Sequence, residues 1–149
     1  MHRNTTANDN TAVGYNALFA NTTGAQNTAI GKDALDANAT AHDNTAIGVG
    51  ALGVMDGSDG KNIAIGNYAG DAITTGGSNT LLGYQAGTTL TTASNTVAIG
   101  AKAMANATTP DFTIAIGQEA LENMTTGASN IAIGYNCLQA ITTLSLIHI

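Results

Sequence analysis

One five-residue motif that ends in glycine recurs along the chain at an almost constant spacing. Copies of NTAIG and its close variants NTAVG and NIAIG lie at 10–14, 27–31, 44–48, 62–66 and 130–134. Aligned on the final glycine, eight related copies are 17 residues apart, except for one spacing of 18. Such a strict period is typical of a solenoid, in which each repeat forms one coil stacked on the last.

The repeat therefore predicts the fold class and the domain organisation. The residues before each glycine have high β propensity, which favours one short strand per coil. We predict a β fold, a single-stack parallel β-solenoid of eight coils with about 17 residues each, over residues 10–143. Residues 1–9 are predicted to be a polar N-terminal leader, and residues 144–149 a non-repeat tail that is artefactual or truncated.

Two apolar columns, meaning residues at the same position in successive coils, flank each other in the motif. The residue before the glycine is always a branched aliphatic, and we predict that this column forms the core. Its members are Val13, Ile30, Ile47, Ile65, Leu82, Ile99, Ile116 and Ile133. The residue two before the glycine is Ala in seven of eight copies, with Leu81 as the exception. Because neighbours in a strand face opposite sides, the Ala column predicts close packing on the other face.

The glycines themselves are predicted to be the corners that follow each strand. They are Gly14, Gly31, Gly48, Gly66, Gly83, Gly100, Gly117 and Gly134. Apolar residues three, four and seven places later would suit a short helical turn or a second, corner-turning strand. The segment is too short for its periodicity to decide between these structures, although Gly70 and Gly87 disfavour a helix.

Most coils close with a pair of threonines, usually followed by a turn-forming residue. The pairs are Thr22 and Thr23, Thr74 and Thr75, Thr91 and Thr92, Thr108 and Thr109, and Thr125 and Thr126. These pairs predict corners and a possible surface ladder of hydroxyl groups. Regular threonine arrays on β-solenoids can bind ice, so ice binding is an alternative function. Against it, adjacent threonines in an extended chain point to opposite faces.

The asparagine four residues before the glycine has two structural interpretations. Stacked identical asparagines can form amide ladders between coils, and asparagine also tolerates turn conformations. Thr96 and Thr113 take this position in two coils, so a ladder would be interrupted there.

Composition and charge argue against several classes of function. The formal net charge is −6, and the four Lys and Arg residues lie far apart, so no nucleic-acid partner is expected. No apolar run approaches the roughly 20 residues of a membrane helix, so this segment is not expected to insert into a membrane. No acid/base pair, nucleophile motif or phosphate loop is visible, and we predict a non-enzyme without cofactor or metal.

Individual reactive residues are best explained structurally. His2, His42 and His148 share no column, and Cys137 lies in a column of alanines as a small buried residue. The acidic run at 56–60 contains the extra residue of the 18-residue coil and is predicted to be an exposed loop. Asn-x-Thr sequons begin at Asn4, Asn21, Asn38, Asn106 and Asn123. Turn formation explains four of them without glycosylation.

The motif also carries a family resemblance. Asn-x-Ala-Ile-Gly, followed by a small residue three places later, resembles the head repeats of YadA-like trimeric autotransporter adhesins. GYNALFANTTG at 14–24 is similar to repeat regions of phage tail fibres and bacterial surface proteins. The resemblance covers about residues 10–143. It implies a left-handed parallel β-roll with three chains around an axis, in which the Ala column would suit the interface between chains.

Together, the period and the resemblance predict a structural and adhesive fibre segment. The expected assembly is a homotrimer, and the expected location is extracellular, on a bacterial cell surface or a phage virion. A host surface protein or glycan is the expected kind of ligand. The sequence does not identify that ligand, because fibres bind through broad surfaces that no motif marks.

Overall fold

Eight short strands form one parallel sheet in the computed structural model, which describes residues 6–57, 60–143 and 145–148. The strands are β1 Thr11–Val13, β2 Thr28–Ile30, β3 Thr45–Ile47, β4 Ile63–Ile65, β5 Thr80–Leu82, β6 Val97–Ile99, β7 Ile114–Ile116 and β8 Ile131–Ile133. Each pairs in register with the next, so that Ala29 lies beside Ala46. The prediction of a single-stack parallel β-solenoid is confirmed. We number the coils by the strand with which each begins.

The segment after each glycine forms turns, and the described residues contain neither a helix nor a second strand there. Three positions per coil adopt the left-handed backbone, as Asp33 (φ 55°), Leu35 (φ 48°) and Asp43 (φ 59°) show in coil 2. A helix needs consecutive right-handed residues, so these positions interrupt it. Gly70 and Gly87 occupy the position of Leu35 in their own coils, with φ of 60° and 59°. They fit that turn without the steric cost that leucine bears.

The interior of the solenoid is narrow and is filled mainly by small residues. In coil 3 the strand contributes Ala46, and the turn segment contributes Ala51, Leu52 and Met55, all fully buried. The Ala column of the strands continues this interior, and its members from Ala29 to Ala132 are also fully buried. The expectation that the Ala column lies between neighbouring chains is therefore wrong.

The predicted core column lies on the outer face of the sheet, which corrects the sequence prediction. Val13 is 57% exposed, Ile30 37%, Ile65 40% and Ile133 58%. The other members are partly exposed, namely Ile47, Leu82, Ile99 and Ile116. Leu and Met side chains from the turns already fill the coil, so the strand can turn only a small residue inward. The large aliphatic beside it must then face outward.

Leu81, the exception in the Ala column, fills space that two glycines leave open. A Cβ atom on Gly70 would lie 2.6 Å from Leu81 Cδ1, and one on Gly87 would lie 3.1 Å from Leu81 Cδ2. Coils 4 and 5 have these glycines where most coils have leucine or methionine. A large residue on the strand thus compensates for two missing side chains in the turns.

The glycines after the strands form a column in which adjacent backbones touch. Their φ angles lie between 129° and 138°, a region that favours glycine. A Cβ on Gly31 would also clash with the carbonyl oxygen of Gly48 in the next coil. The backbone angle favours glycine at all eight corners, and the contact with the next coil excludes a side chain at the seven from Gly14 to Gly117.

The asparagine column forms a buried ladder between coils, which resolves the alternative left open by the sequence. The backbone N–H of Asn79 donates to Asn62 Oδ1 at 3.0 Å, and Asn62 N–H donates to Asn44 Oδ1 at the same distance. Asn62 Nδ2 also donates to the Gly76 carbonyl at 2.9 Å. At the predicted interruption, Thr96 Oγ1 donates to the Pro110 carbonyl at 2.6 Å. The Thr96 hydroxyl thus replaces the hydrogen bond that an asparagine Nδ2 donates to a carbonyl in other coils.

The end of the chain continues the solenoid, although its sequence departs from the repeat. His148 forms a parallel bridge with Ile131, and the Ile131 N–H donates to the Ile147 carbonyl at 2.7 Å. The Ile147 N–H in turn donates to Asn130 Oδ1 at 3.0 Å. Residues 145–148 therefore stack on coil 8. Leu144 and Ile149 of the predicted tail, and residues 1–5 of the predicted leader, lie outside the described residues.

Candidate functional surfaces

The outer face of the sheet is an apolar surface, which we call the outer strip. It consists of the first and third residues of strands β1 to β8. The third residues are the aliphatic column, and the first residues are Thr11, Thr28, Thr45, Ile63, Thr80, Val97, Ile114 and Ile131. Ile63 is 42% exposed, similar to Ile65 in the same strand. The strip therefore presents branched aliphatic side chains to solvent along the full length of the sheet.

The two members of each threonine pair have different roles. The hydroxyl of the first member donates to a backbone carbonyl of the next coil, at 2.9 to 3.3 Å. These threonines are Thr22, Thr74, Thr91, Thr108 and Thr125. The second members are exposed, and they are Thr23, Thr75, Thr92, Thr109 and Thr126. The pairs thus supply one column of solvent-facing hydroxyls, because the other column joins the coils.

Carboxylates at the turns form two clusters, one of Asp33, Asp36 and Asp71 and one of Glu119 and Glu122. Burial raises the pKa of Asp36, and the neighbouring charge of Asp33 raises it further. Burial also raises the pKa of Asp71, to which the charge of Asp36 adds. Asp36, Gly53 and Asp71 occupy the same position in coils 2, 3 and 4, so Gly53 lies between the two aspartates. A Cβ on Gly53 would lie 2.8 Å from Asp71 Oδ1. The Asp71 carboxyl thus lies close to the space that a side chain at position 53 would need.

The second cluster is joined by an amide. Gln139 Nε2 donates to Glu122 Oε2 at 2.7 Å and to Glu119 Oε2 at 3.1 Å. Asp43 belongs to neither cluster and is exposed. Within the residues that the structure describes, no three His, Cys, Asp or Glu side chains are placed to hold a metal ion.

The remaining reactive residues lie apart from one another. His42 Nδ1 accepts the backbone N–H of Ala25 at 2.9 Å, and Cys137 is partly buried against the core. In the acidic run, Asp56 Oδ1 accepts the Ala39 N–H at 3.0 Å. Ser58 and Asp59 of that run, together with His2, lie outside the described residues.

The sequons differ in accessibility. Asn21 and Asn38 are fully buried, and Asn38 Nδ2 donates to Asn21 Oδ1 at 3.1 Å. A glycan has no room at either side chain in the folded chain. Asn106 is exposed, and its Nδ2 donates to Asn123 Oδ1 at 2.8 Å. Asn4 lies outside the described residues.

One surface feature escaped the sequence reasoning, a polar groove of about 410 Å³ at the corner before strands β3 to β6. Gly60 and Gly77 form part of its lining, in a column that holds His42 on one side and Ser94 on the other. Two successive glycines between larger residues were the available signal. The two glycines did not predict a groove, because turn formation already explains glycine at a corner.

Comparison of the chain with protein-family models, with curated proteins and with solved structures found no match. In the described part of the chain, no helix has the length and apolar character needed to span a membrane.

Proposed function

We propose that the chain is a segment of a structural and adhesive fibre in which copies associate side by side through the outer strip. The observation that carries this proposal is the exposure of the strip in the single chain. Val13, Ile30, Ile65 and Ile133 are 37% to 58% exposed in one straight row. A contiguous apolar surface of this kind marks an interaction site in soluble proteins.

The physical reason for association is the burial of this apolar surface. Removing apolar area from water stabilises a complex by about 25 cal/mol per Å². In-register strands stack at about 4.8 Å, so the strip is straight and regular, and an identical strip can match it along its length. The number three, the extracellular location and the display on a bacterial cell or virion rest on the resemblance to YadA-like head repeats.

Sedimentation equilibrium of the purified chain tests the assembly. We expect a mass three times that of the 14.9 kDa chain. The double variant Ile65→Glu with Ile99→Glu should be monomeric but folded, because both side chains lie on the outer face and their charges resist burial in an interface. The matched control is Thr75→Glu with Thr109→Glu, which adds the same charge to the same coils at exposed corners and should keep the wild-type mass.

A wild-type chain that sediments as a folded monomer at all concentrations would overturn the assembly, and a dimer would overturn the number three. Ice binding is the alternative function, and the pairs offer it one free column of threonine hydroxyls. An ice-recrystallisation assay on the same samples separates the two functions. Inhibition that is lost when Thr92 and Thr109 become valine would favour the alternative.

A further inference from the structure

The polar groove before strands β3 to β6 lies where two neighbouring coils have glycine at one corner position. In this inner column, His42 Nδ1 accepts the Ala25 N–H at 2.9 Å, and Ser94 Oγ accepts the Gly77 N–H at 3.1 Å. Gly60 and Gly77 lie between them and project no side chain. With coils about 4.8 Å apart, the open floor runs roughly 14 Å along the rod from His42 to Ser94.

One wall of the groove is a column of four exposed polar side chains, Asp43, Lys61, Ser78 and Asn95. All four have left-handed backbones, with φ between 58° and 66°. Their backbone N–H groups are already used. Those of Lys61, Ser78 and Asn95 donate to carbonyls of the preceding coil at 3.0 to 3.1 Å. Among the described residues, none of the four side chains has a hydrogen-bond or ion-pair partner, so these groups are available to a ligand.

The chemistry of the lining selects one class of ligand. A carboxylate, an ammonium, two hydroxyls, an amide and a histidine ring offer both donors and acceptors. The described residues of the lining include no Leu, Ile, Val, Phe, Tyr or Trp, so they form no apolar pocket of the kind that anchors a peptide side chain. A single lysine beside an aspartate, on a chain of net charge −6, does not suit a polyanion such as nucleic acid.

We propose that this groove binds a short carbohydrate chain that lies along the rod axis. Sugar hydroxyls both donate and accept, which matches the alternation of groups on the wall. Lys61 would add selectivity for a sugar that carries a carboxylate. The proposal deepens the proposed adhesive role by naming a ligand class and its place, and it rests on that role for its biological meaning. The groove is nevertheless formed within one chain.

We expect a single site to bind weakly, because the groove is open to water. Several chains held side by side would each present one groove. Linked sites raise the overall avidity by about 10² to 10⁴ without any new contact. Weak single sites are therefore sufficient for a fibre that attaches to a surface carrying many copies of the same glycan.

Saturation-transfer-difference NMR on the full chain tests the proposal with three probes, cellotriose, maltotriose and 3′-sialyllactose. We expect transfer to at least one probe, and at least a tenfold loss in Gly77→His. That variant fills the groove with the side chain that the same column holds at position 42, on a backbone outside the left-handed region. The matched control, Ala128→His, places the same side chain in the same column outside the groove and should keep the signal.

Absence of transfer to all three probes, or equal transfer in Gly77→His with an unchanged melting temperature, would overturn the proposal. Lys61→Ala distinguishes the ligand type. A loss confined to 3′-sialyllactose assigns the groove to carboxylated sugars, and an equal loss for all probes assigns it to neutral hydroxyls. Sedimentation of the same samples separates this proposal from the assembly, because a monomer that binds sugar keeps the groove and loses the trimer.

Discussion

Leu81 and Leu82 are identical neighbours on one strand, yet they lie in opposite environments. Leu81 points into the solenoid and is fully buried. Its side chain fills the space that side chains at positions 70 and 87 would otherwise occupy. Leu82 points outward into the outer strip and is partly exposed. The same side chain therefore serves the packing of the interior on one side of the strand and forms part of the outer strip on the other.

The comparison shows that side-chain size is limited on the inner face of the sheet but not on the outer face. Inside, the total volume is fixed, so a large residue at one position requires small residues opposite it. Outside, the space is open and every coil can carry a large aliphatic. Substitutions inside should be costly and coupled, and substitutions outside should have little effect on the folding of the single chain.

The largest expected effect is the loss of Leu81. Leu81→Ala should lower the free energy of unfolding by about 2–5 kcal/mol, because it removes a buried side chain and leaves a cavity above two glycines. Leu82→Ala, the matched control on the outer side, should cost clearly less in the monomer. Urea denaturation followed by circular dichroism measures both. Equal losses would contradict the assignment of inside and outside.

The same pair of sites predicts coupling. Gly87→Leu alone should destabilise by about 1–3 kcal/mol through overpacking against Leu81 and Leu90. Combined with Leu81→Ala, it should restore the arrangement of the ordinary coils and recover part of that loss. A double-mutant cycle with purely additive energies would rule out the compensation.

An intermediate effect is expected at the asparagine ladder, which lies at the edge of the interior. Asn62→Ala leaves the Asn79 N–H and the Gly76 carbonyl without their buried partner, at a cost of about 1–3 kcal/mol. Asn62→Thr should cost less, because Thr96 shows that a hydroxyl can serve the carbonyl. Urea denaturation would contradict the ladder's role if alanine and threonine proved equivalent.

The smallest effect is expected in a turn, at the partly buried Asp71. Its folded pKa is raised above the ordinary value of 3.8, so the folded chain holds this proton more tightly than the unfolded chain does. The ionised carboxyl therefore destabilises the fold at neutral pH, and this cost disappears as pH falls through the raised pKa towards 3.8. Asp71→Asn should slightly raise the melting temperature at pH 7 and have no effect near pH 3.5.

Asp43→Asn controls for the change in net charge, since Asp43 is exposed and lies outside the acidic clusters. A pH-independent gain in Asp71→Asn, or the same gain in Asp43→Asn, would show that burial of the Asp71 carboxyl is not the cause. Melting temperatures between pH 3.5 and pH 8 provide this test.

The period of 17 residues was sufficient to predict the stacking, the register and the strand positions. It could not predict which side of the strand faces inward, because both the isoleucine and the alanine columns are apolar. The choice depends on the volume inside the coil, which Leu52 and Met55 from the turn segment already fill. That volume is a property of the closed coil and is not visible in a strand of three residues.

The turns were harder to predict for a related reason. Leu35 adopts a left-handed angle that its sequence does not indicate, since bulky residues rarely do so, whereas Asp33 is of a type enriched in that region. The angles are imposed by hydrogen bonds between coils, such as Leu35 N–H to the Ala51 carbonyl at 3.1 Å. The groove was missed for the same reason, because it depends on which residues the stacking places side by side.

In-register stacking also has a consequence for how such a chain can change in length. Every strand pairs with the next in the same register, so the two edges of each coil are equivalent. The pairing of Ala98 with Ala115, for example, repeats that of Ala29 with Ala46. Outside coils 4 and 5, whose side chains compensate for one another, duplication or deletion of a 17-codon unit would lengthen or shorten the rod by about 4.8 Å and keep the backbone pairing between coils. Reach could thus be tuned by copy number, one coil at a time, without any new contact having to evolve.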